Sequence, residues 1–98
     1  MAGYIIAMVE VTDWNQYREY MKAMPAAIER YGGRFIIRGG EIDTLEGADE
    51  KRRVVVIEFS TLARALEFYH SPEYTQVKKL RDGAAVGQFI AIEGNPNS

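Results

Sequence analysis

His70 and Ser71 stand side by side, Glu73 follows closely, and Tyr69 and Tyr74 flank them. A serine beside a histidine is the material of nucleophilic catalysis, with the imidazole as base. A histidine alone can exchange a proton near neutral pH. Yet the stretch "FYHSPEYTQVKKL" has a local explanation for each residue. Ser71 is a good helix cap. Pro72 suits the first helical position, where its missing amide costs nothing. Glu73 meets the positive end of the helix. Tyr74, Val77 and Leu80 then share one buried stripe. Side chains flanking a helix start need not point together, and no acid stands ready to orient the imidazole. A helix start is the expected role, with His70 and Tyr74 kept as pocket-lining residues.

A sharper set is Glu10, Arg38 and Glu58, each late in an expected strand. Period-two counting puts Glu10 with Tyr4, Ile6 and Met8, and Glu58 opposite Val55, Ile57 and Phe59. Arg38 falls opposite Phe35 and Ile37. All three charges then share one sheet face. An apolar chamber there, lined also by Tyr4 and Met8, would hold a guanidinium and two carboxylates. It could bind a small anionic or phenolic molecule through Arg38 and move a proton with Glu58 or Glu10. The alternative is a closed ion cluster that only satisfies charges at an interface. A bulge at Gly39-Gly40 or near Glu10 would invert the faces.

These residues depend on the elements that carry them. "GYIIAMVEV" reads as a first strand, Gly3–Val11. Asp13 caps a following helix, with Gln16 at the capping-box position. Trp14, Tyr17, Met21, Met24, Ile28 and Tyr31 recur at steps of three and four, one apolar face. Pro25 should kink or split that helix. Gly32-Gly33 end it. "RFIIR" is a second strand, and "EIDTLEG" is expected to continue as a further strand segment. "RVVVIEF" is the clearest strand. Ser60 or Thr61 caps a helix carrying Leu62, Ala65, Leu66 and Tyr69. A short helix over residues 71–82 and a last strand, "QFIAIEG", complete the order β-α-β-β-α-β. That is the α+β, ferredoxin-like pattern, an antiparallel sheet with helices on one face.

The 98 residues suggest a single domain, with residues 94–98 as a loose tail. Apolar residues make up 47% and charged residues 27%, ordinary for a soluble globular chain. Net charge is −2. The basic runs Lys51-Arg52-Arg53 and Lys78-Lys79-Arg81 read as solvated faces, so no nucleic-acid partner is expected. Without cysteine there is no disulfide, thiolate nucleophile or thiolate metal site. One histidine makes any other metal site, or a haem site, an unpromising expectation. No cofactor is expected. "RGG" and "RYGG" do not match a phosphate loop. No apolar run reaches the ~20 residues of a membrane helix. A cytoplasmic location fits.

Both faces of the first and third strands are largely apolar. Helices cover one. Leaving the other in water costs about 25 cal/mol per Å². A second copy of the chain is the simplest cover, two sheets closing on a shared interior. The segments "GYIIAMVEVTD", "PAAIERYGGRFIIRGG", "LEG", "VVVIEF" and "FYHSPEYTQVKKLRDGA", ending in "FIAIEG", resemble a small bacterial family. It is domain-of-unknown-function family thirteen-thirty, in the dimeric α+β barrel superfamily. The resemblance runs from Gly3 to Gly94. It implies a ferredoxin-like protomer and a homodimer, and no particular reaction. Superfamily relatives include cofactor-independent monooxygenases, haem-degrading enzymes, muconolactone isomerases and dye-decolourising peroxidases, which share an interior pocket but not one residue set. Where the family resemblance suggests His or Arg, this chain has Met8, so no basic role carries over to that position.

Overall fold

The helices and strands of the computed structural model follow the expected order. It describes residues 1–96; Asn97 and Ser98, the end of the expected tail, lie outside the described residues. The elements are β1 (Gly3–Val11), α1 (Trp14–Arg30), β2 (Arg34–Arg38), β3 (Arg53–Phe59), α2 (Leu62–Tyr69), α3 (Pro72–Lys78), a 3₁₀ turn (Lys79–Arg81) and β4 (Ala85–Glu93). The strands form one antiparallel sheet in the order β2-β3-β1-β4. That is the ferredoxin-like fold.

Period two explains the core. Ile5, Ala7 and Val9 of β1 alternate inward with Val55, Ile57 and Phe59 of β3. They meet Tyr17, Tyr20, Met24, Ala27 and Ile28 of α1, Ala65 and Phe68 of α2, and Tyr74 of α3. The result is a slab of 36 × 34 × 16 Å, two layers thick, with helices on one side only. On the bare side Tyr4, Ile6 and Met8 of β1 stand opposite Ile92, Ile90 and Gln88 of β4.

Several local expectations change. Pro25 sits inside an unbroken α1, whose packed face outweighs one missing hydrogen bond. Tyr20, off the expected stripe, is buried, whereas Trp14 at the first turn is 46% exposed. Asp13 caps α1 by accepting from the Gln16 amide. The Gln16 side chain does not close a capping box; it donates to the carbonyls of Leu80 and Asp82. "EIDTLEG" forms no strand. Gly39 takes a left-handed φ of 72° and turns the chain off the sheet. Residues 39–52 then run as a loop whose Leu45 is 88% exposed.

Thr61 caps α2 through the Arg64 amide. Ser71 caps α3: its Oγ accepts from the Tyr74 amide at 3.1 Å and donates to the Phe68 carbonyl at 2.6 Å. Ser71 is itself buried. Ser71→Ala should therefore cost about 0.5–2 kcal/mol, measured by urea unfolding, and the folded variant should keep any ligand binding. Lost binding at unchanged stability would make Ser71 a site residue instead.

Candidate functional site

The three expected charges do not come together. Glu58 lies on the bare face, where Arg34 Nε donates to its Oε1 at 2.8 Å and the Tyr4 hydroxyl to its Oε2 at 3.2 Å. The Arg34 hydrogen bond, foremost, holds the Glu58 carboxyl below its ordinary range. Glu10 shares the face but sits at the far end, opposite Val86. β1 and β3 are antiparallel, so "late" in each strand means opposite ends. Glu10 is six residues from Tyr4, the partner of Glu58, roughly 20 Å at about 3.3 Å per residue.

Arg38 is not on that face at all. The β2–β3 register slips between Phe35 and Ile37, leaving Ile36 unpaired. Ile37 then opposes Val56 and Arg38 opposes Val55. The bulge sits three residues before the expected glycine pair and moves Arg38 to the helix side.

On the helix side Arg38 finds a specific partner. Pro25 has no amide, so the carbonyl four residues earlier, that of Met21, lacks its helical donor. Arg38 Nη2 donates to it at 2.7 Å, and the guanidinium lies 4.0 Å from the centre of the Phe35 ring. Behind Arg38 is a small chamber between α1, the sheet and α3. Tyr17, Tyr20, Met21, Arg53, Tyr69, Tyr74 and Phe89 contribute to its wall. Arg38 is exposed and yet lines the chamber, which places it at the mouth. The free space inside is about 30 Å³, room for a water or two.

Three guanidiniums converge on this region. Arg53, opposite Val9 in the ladder, lies against Gly39 and beside the Tyr17 hydroxyl. Arg81 donates through Nη2 to the Tyr74 hydroxyl at 3.4 Å and stacks on Phe89, 4.5 Å away. The Tyr20 and Tyr74 hydroxyls are 2.8 Å apart, both buried. None of the ion pairs among the described residues involves Arg38, Arg53 or Arg81. Nε of Arg53 and of Arg81 are buried without an acceptor. Burial, and then the charge of Arg53, pull the Arg38 guanidinium below its ordinary value. Burial raises the Tyr17 phenol, with Arg53 and Arg81 pulling the other way. Burial, then Tyr74, raises Tyr20 far above its ordinary value.

The chemistry follows. Among the described residues no histidine or carboxylate lines the chamber, and raised phenols donate hydrogen bonds rather than abstract protons. Guanidiniums stay charged and offer planar pairs of N–H donors. The arrangement suits holding an anion.

The other expected residues divide. Tyr74 is in the chamber wall; His70 is exposed at the end of α2, in a shallower groove with Leu66, Phe89 and Ile90. Tyr4 and Met8 are on the bare face. Glu73 accepts from the Tyr31 hydroxyl at 2.8 Å and pairs with Arg30, as a structural residue of the α3 start. Among the described residues no group of three His, Cys, Asp or Glu could hold a metal ion. No described helix is long and apolar enough to cross a membrane.

Arg53 and Arg81 were legible only in part. Both end basic runs that read as solvated. Yet Arg53 is in phase with Val55, Ile57 and Phe59, which marks the helix side. Arg81 turns inward because α3 tightens into a 3₁₀ turn, changing its phase and leaving Leu80 40% exposed.

Residues 2–95 match the domain of unknown function DUF1330. The chain belongs to that family. No curated protein matches it. Among solved structures, it is similar to a protein of unknown function from Rhodopseudomonas palustris, with TM-score 0.74 and 21% identity over 96% of this chain and 82% of that one. A dimeric ferredoxin-like protein of unknown function from Jannaschia gives TM-score 0.72 and 14% identity over 96% and 100%. SnoaB, a cofactor-independent oxygenase from Streptomyces nogalater, gives 0.64 and 10% over 96% and 93%. At these identities the likeness is one of fold.

At the rim of the bare face Glu50 holds Arg52, whose Nη2 reaches the Met8 sulfur at 3.7 Å. The Arg52 side-chain hydrogen bond, foremost, takes the Glu50 carboxyl from 4.5 to about 2. The folded value lies below the unfolded one, so the pair stabilises the fold above about pH 4.5. That contribution is lost as pH falls towards about 2. Glu50→Gln should flatten the fall of the thermal midpoint across that window; an unchanged slope would remove Glu50 from acid unfolding.

Proposed function

We propose that this DUF1330 chain binds a small organic anion, a carboxylate or phenolate on an apolar body, in the chamber between α1 and the sheet. The observation that carries the reading is Arg38 and Arg53 in the chamber wall, with Arg81 behind its Tyr74 and Phe89, three cations with no carboxylate partner among the described residues of a chain of net charge −2. Two of them keep a buried Nε without an acceptor. A buried donor left unmade costs about 1–3 kcal/mol, more for a charged group, and an anion would recover that. The aromatic wall suits the apolar body. The sharing of this fold by an oxygenase is compatible with conversion of the bound molecule. Tyr17 would then act as a hydrogen-bond donor to a developing oxyanion, not as a base.

The bare face supports the second half of the reading, a homodimer joined sheet to sheet. Ile37, Val86 and Ile92 there are 48%, 64% and 48% exposed, a costly surface in water. Apart from Glu10 at its far end, its charges close on each other, Arg34 on Glu58, which also accepts from Tyr4, and Arg52 on Glu50 at the rim. That favours an interface role, rather than a ligand site, for Tyr4, Met8 and Glu58. The Jannaschia neighbour is itself dimeric.

Thermal-shift titration of the full chain with benzoate, 4-hydroxybenzoate and neutral benzamide tests the chamber. Ligand at about 100 times Kd adds about 2.7 kcal/mol. For a chain this size that raises the unfolding midpoint by roughly 10–20 °C. The two anions should shift it and benzamide should not. Arg53→Met should abolish the shift while remaining folded. No anion-dependent shift at any concentration would overturn the reading.

Sedimentation should give twice the 11.1 kDa of one chain, about 22 kDa, at micromolar concentration. Ile6→Lys, in the middle of the bare face, should give monomers. A wild-type monomer would sink the sheet-to-sheet dimer and leave the chamber untouched.

A further inference from the structure

We propose that Arg38 is the latch of the anion chamber: it rests on the Met21 carbonyl while the site is free and turns onto the ligand's charge when an anion binds. This deepens the chamber reading and rests on it. The free space of about 30 Å³ does not admit an organic anion unless some part of the wall gives. Most of the wall cannot give cheaply. Ala7 and Val55 are held in the ladder, and Tyr74 and Phe68 are each 1% exposed in the centre of the core. Arg38 is the one exposed residue among those lining the chamber.

What holds Arg38 is also replaceable. It is held by one carbonyl at 2.7 Å and the face of Phe35. The carbonyl accepts it because Pro25 leaves Met21 without a helical donor. Arg53, a second cation, sits close enough to add its repulsion to the burial that already disfavours the Arg38 charge. An anion placed between them would turn that repulsion into two attractions. Movement of Arg38 from carbonyl to anion would thus widen the mouth and complete the site in one step. Leaving the carbonyl is the cost of opening, so apparent affinity is reduced by the fraction of chains with the latch released.

Pro25→Ala separates these roles without touching the chamber wall. It restores an amide that can satisfy Met21 and should loosen the latch. Calorimetric titration with benzoate should show tighter binding to Pro25→Ala than to wild type, by several-fold, with benzamide unchanged. Arg38→Gln can still donate to Met21 but carries no charge. It should weaken benzoate by about tenfold, which is about 1.4 kcal/mol, while the fold stays intact. Benzoate binding lost in Arg53→Met but equal in wild type and Pro25→Ala would overturn the latch and leave the site standing. Wild-type affinity in Arg38→Gln would do the same. No benzoate binding by wild type would overturn both.

Discussion

The missing amide of Pro25 organises one side of this molecule. A proline inside a helix costs about 3 kcal/mol, through a lost hydrogen bond and a clash one turn back. Here α1 continues through it, and the orphaned Met21 carbonyl accepts from Arg38 at 2.7 Å. A hydrogen bond to a charged donor is worth about 1.5–3 kcal/mol, enough to offset much of that cost. The bond exists only because β2 carries one unpaired residue, Ile36, before Arg38. Without the bulge Arg38 would join Arg34 on the bare face. Helix, bulge and guanidinium are therefore one device, tying the β2 edge to α1 at the mouth of the chamber.

The sheet separates two kinds of charge. On its bare face and rim two ion pairs form: Arg34 with Glu58, and Arg52 with Glu50. These partly exposed pairs also set complementarity on an otherwise apolar surface. On the helix face Arg38, Arg53 and Arg81 meet phenols, aromatic rings and a carbonyl. Cations kept from carboxylates remain open to an outside anion, because only neutral groups compete for them. The two faces thus differ in kind: one neutralises its own charges, the other leaves its cations to neutral partners.

Much of this was readable from residue types. Alternation in "GYIIAMVEV" and "RVVVIEF", the caps Asp13 and Ser71, and the element order lead to the ferredoxin-like fold and the family. Each rests on neighbours within a turn or along a strand, where local geometry and side-chain type suffice. Even the inward phase of Arg53 was present in the alternation.

The site itself was decided by tertiary structure. One extra residue in β2 carries Arg38 through the sheet, and no residue type near Ile36 signals it. The antiparallel pairing of β1 with β3 parts Glu10 from Glu58, although each lies late in its own strand. A 3₁₀ turn changes which of Leu80 and Arg81 faces inward. Residue types and spacing determined which chemical groups this protein has and which elements carry them. Which groups meet depended on register, strand direction and helix phase. These are set by packing between segments far apart in the chain, where a shift of one residue changes the face.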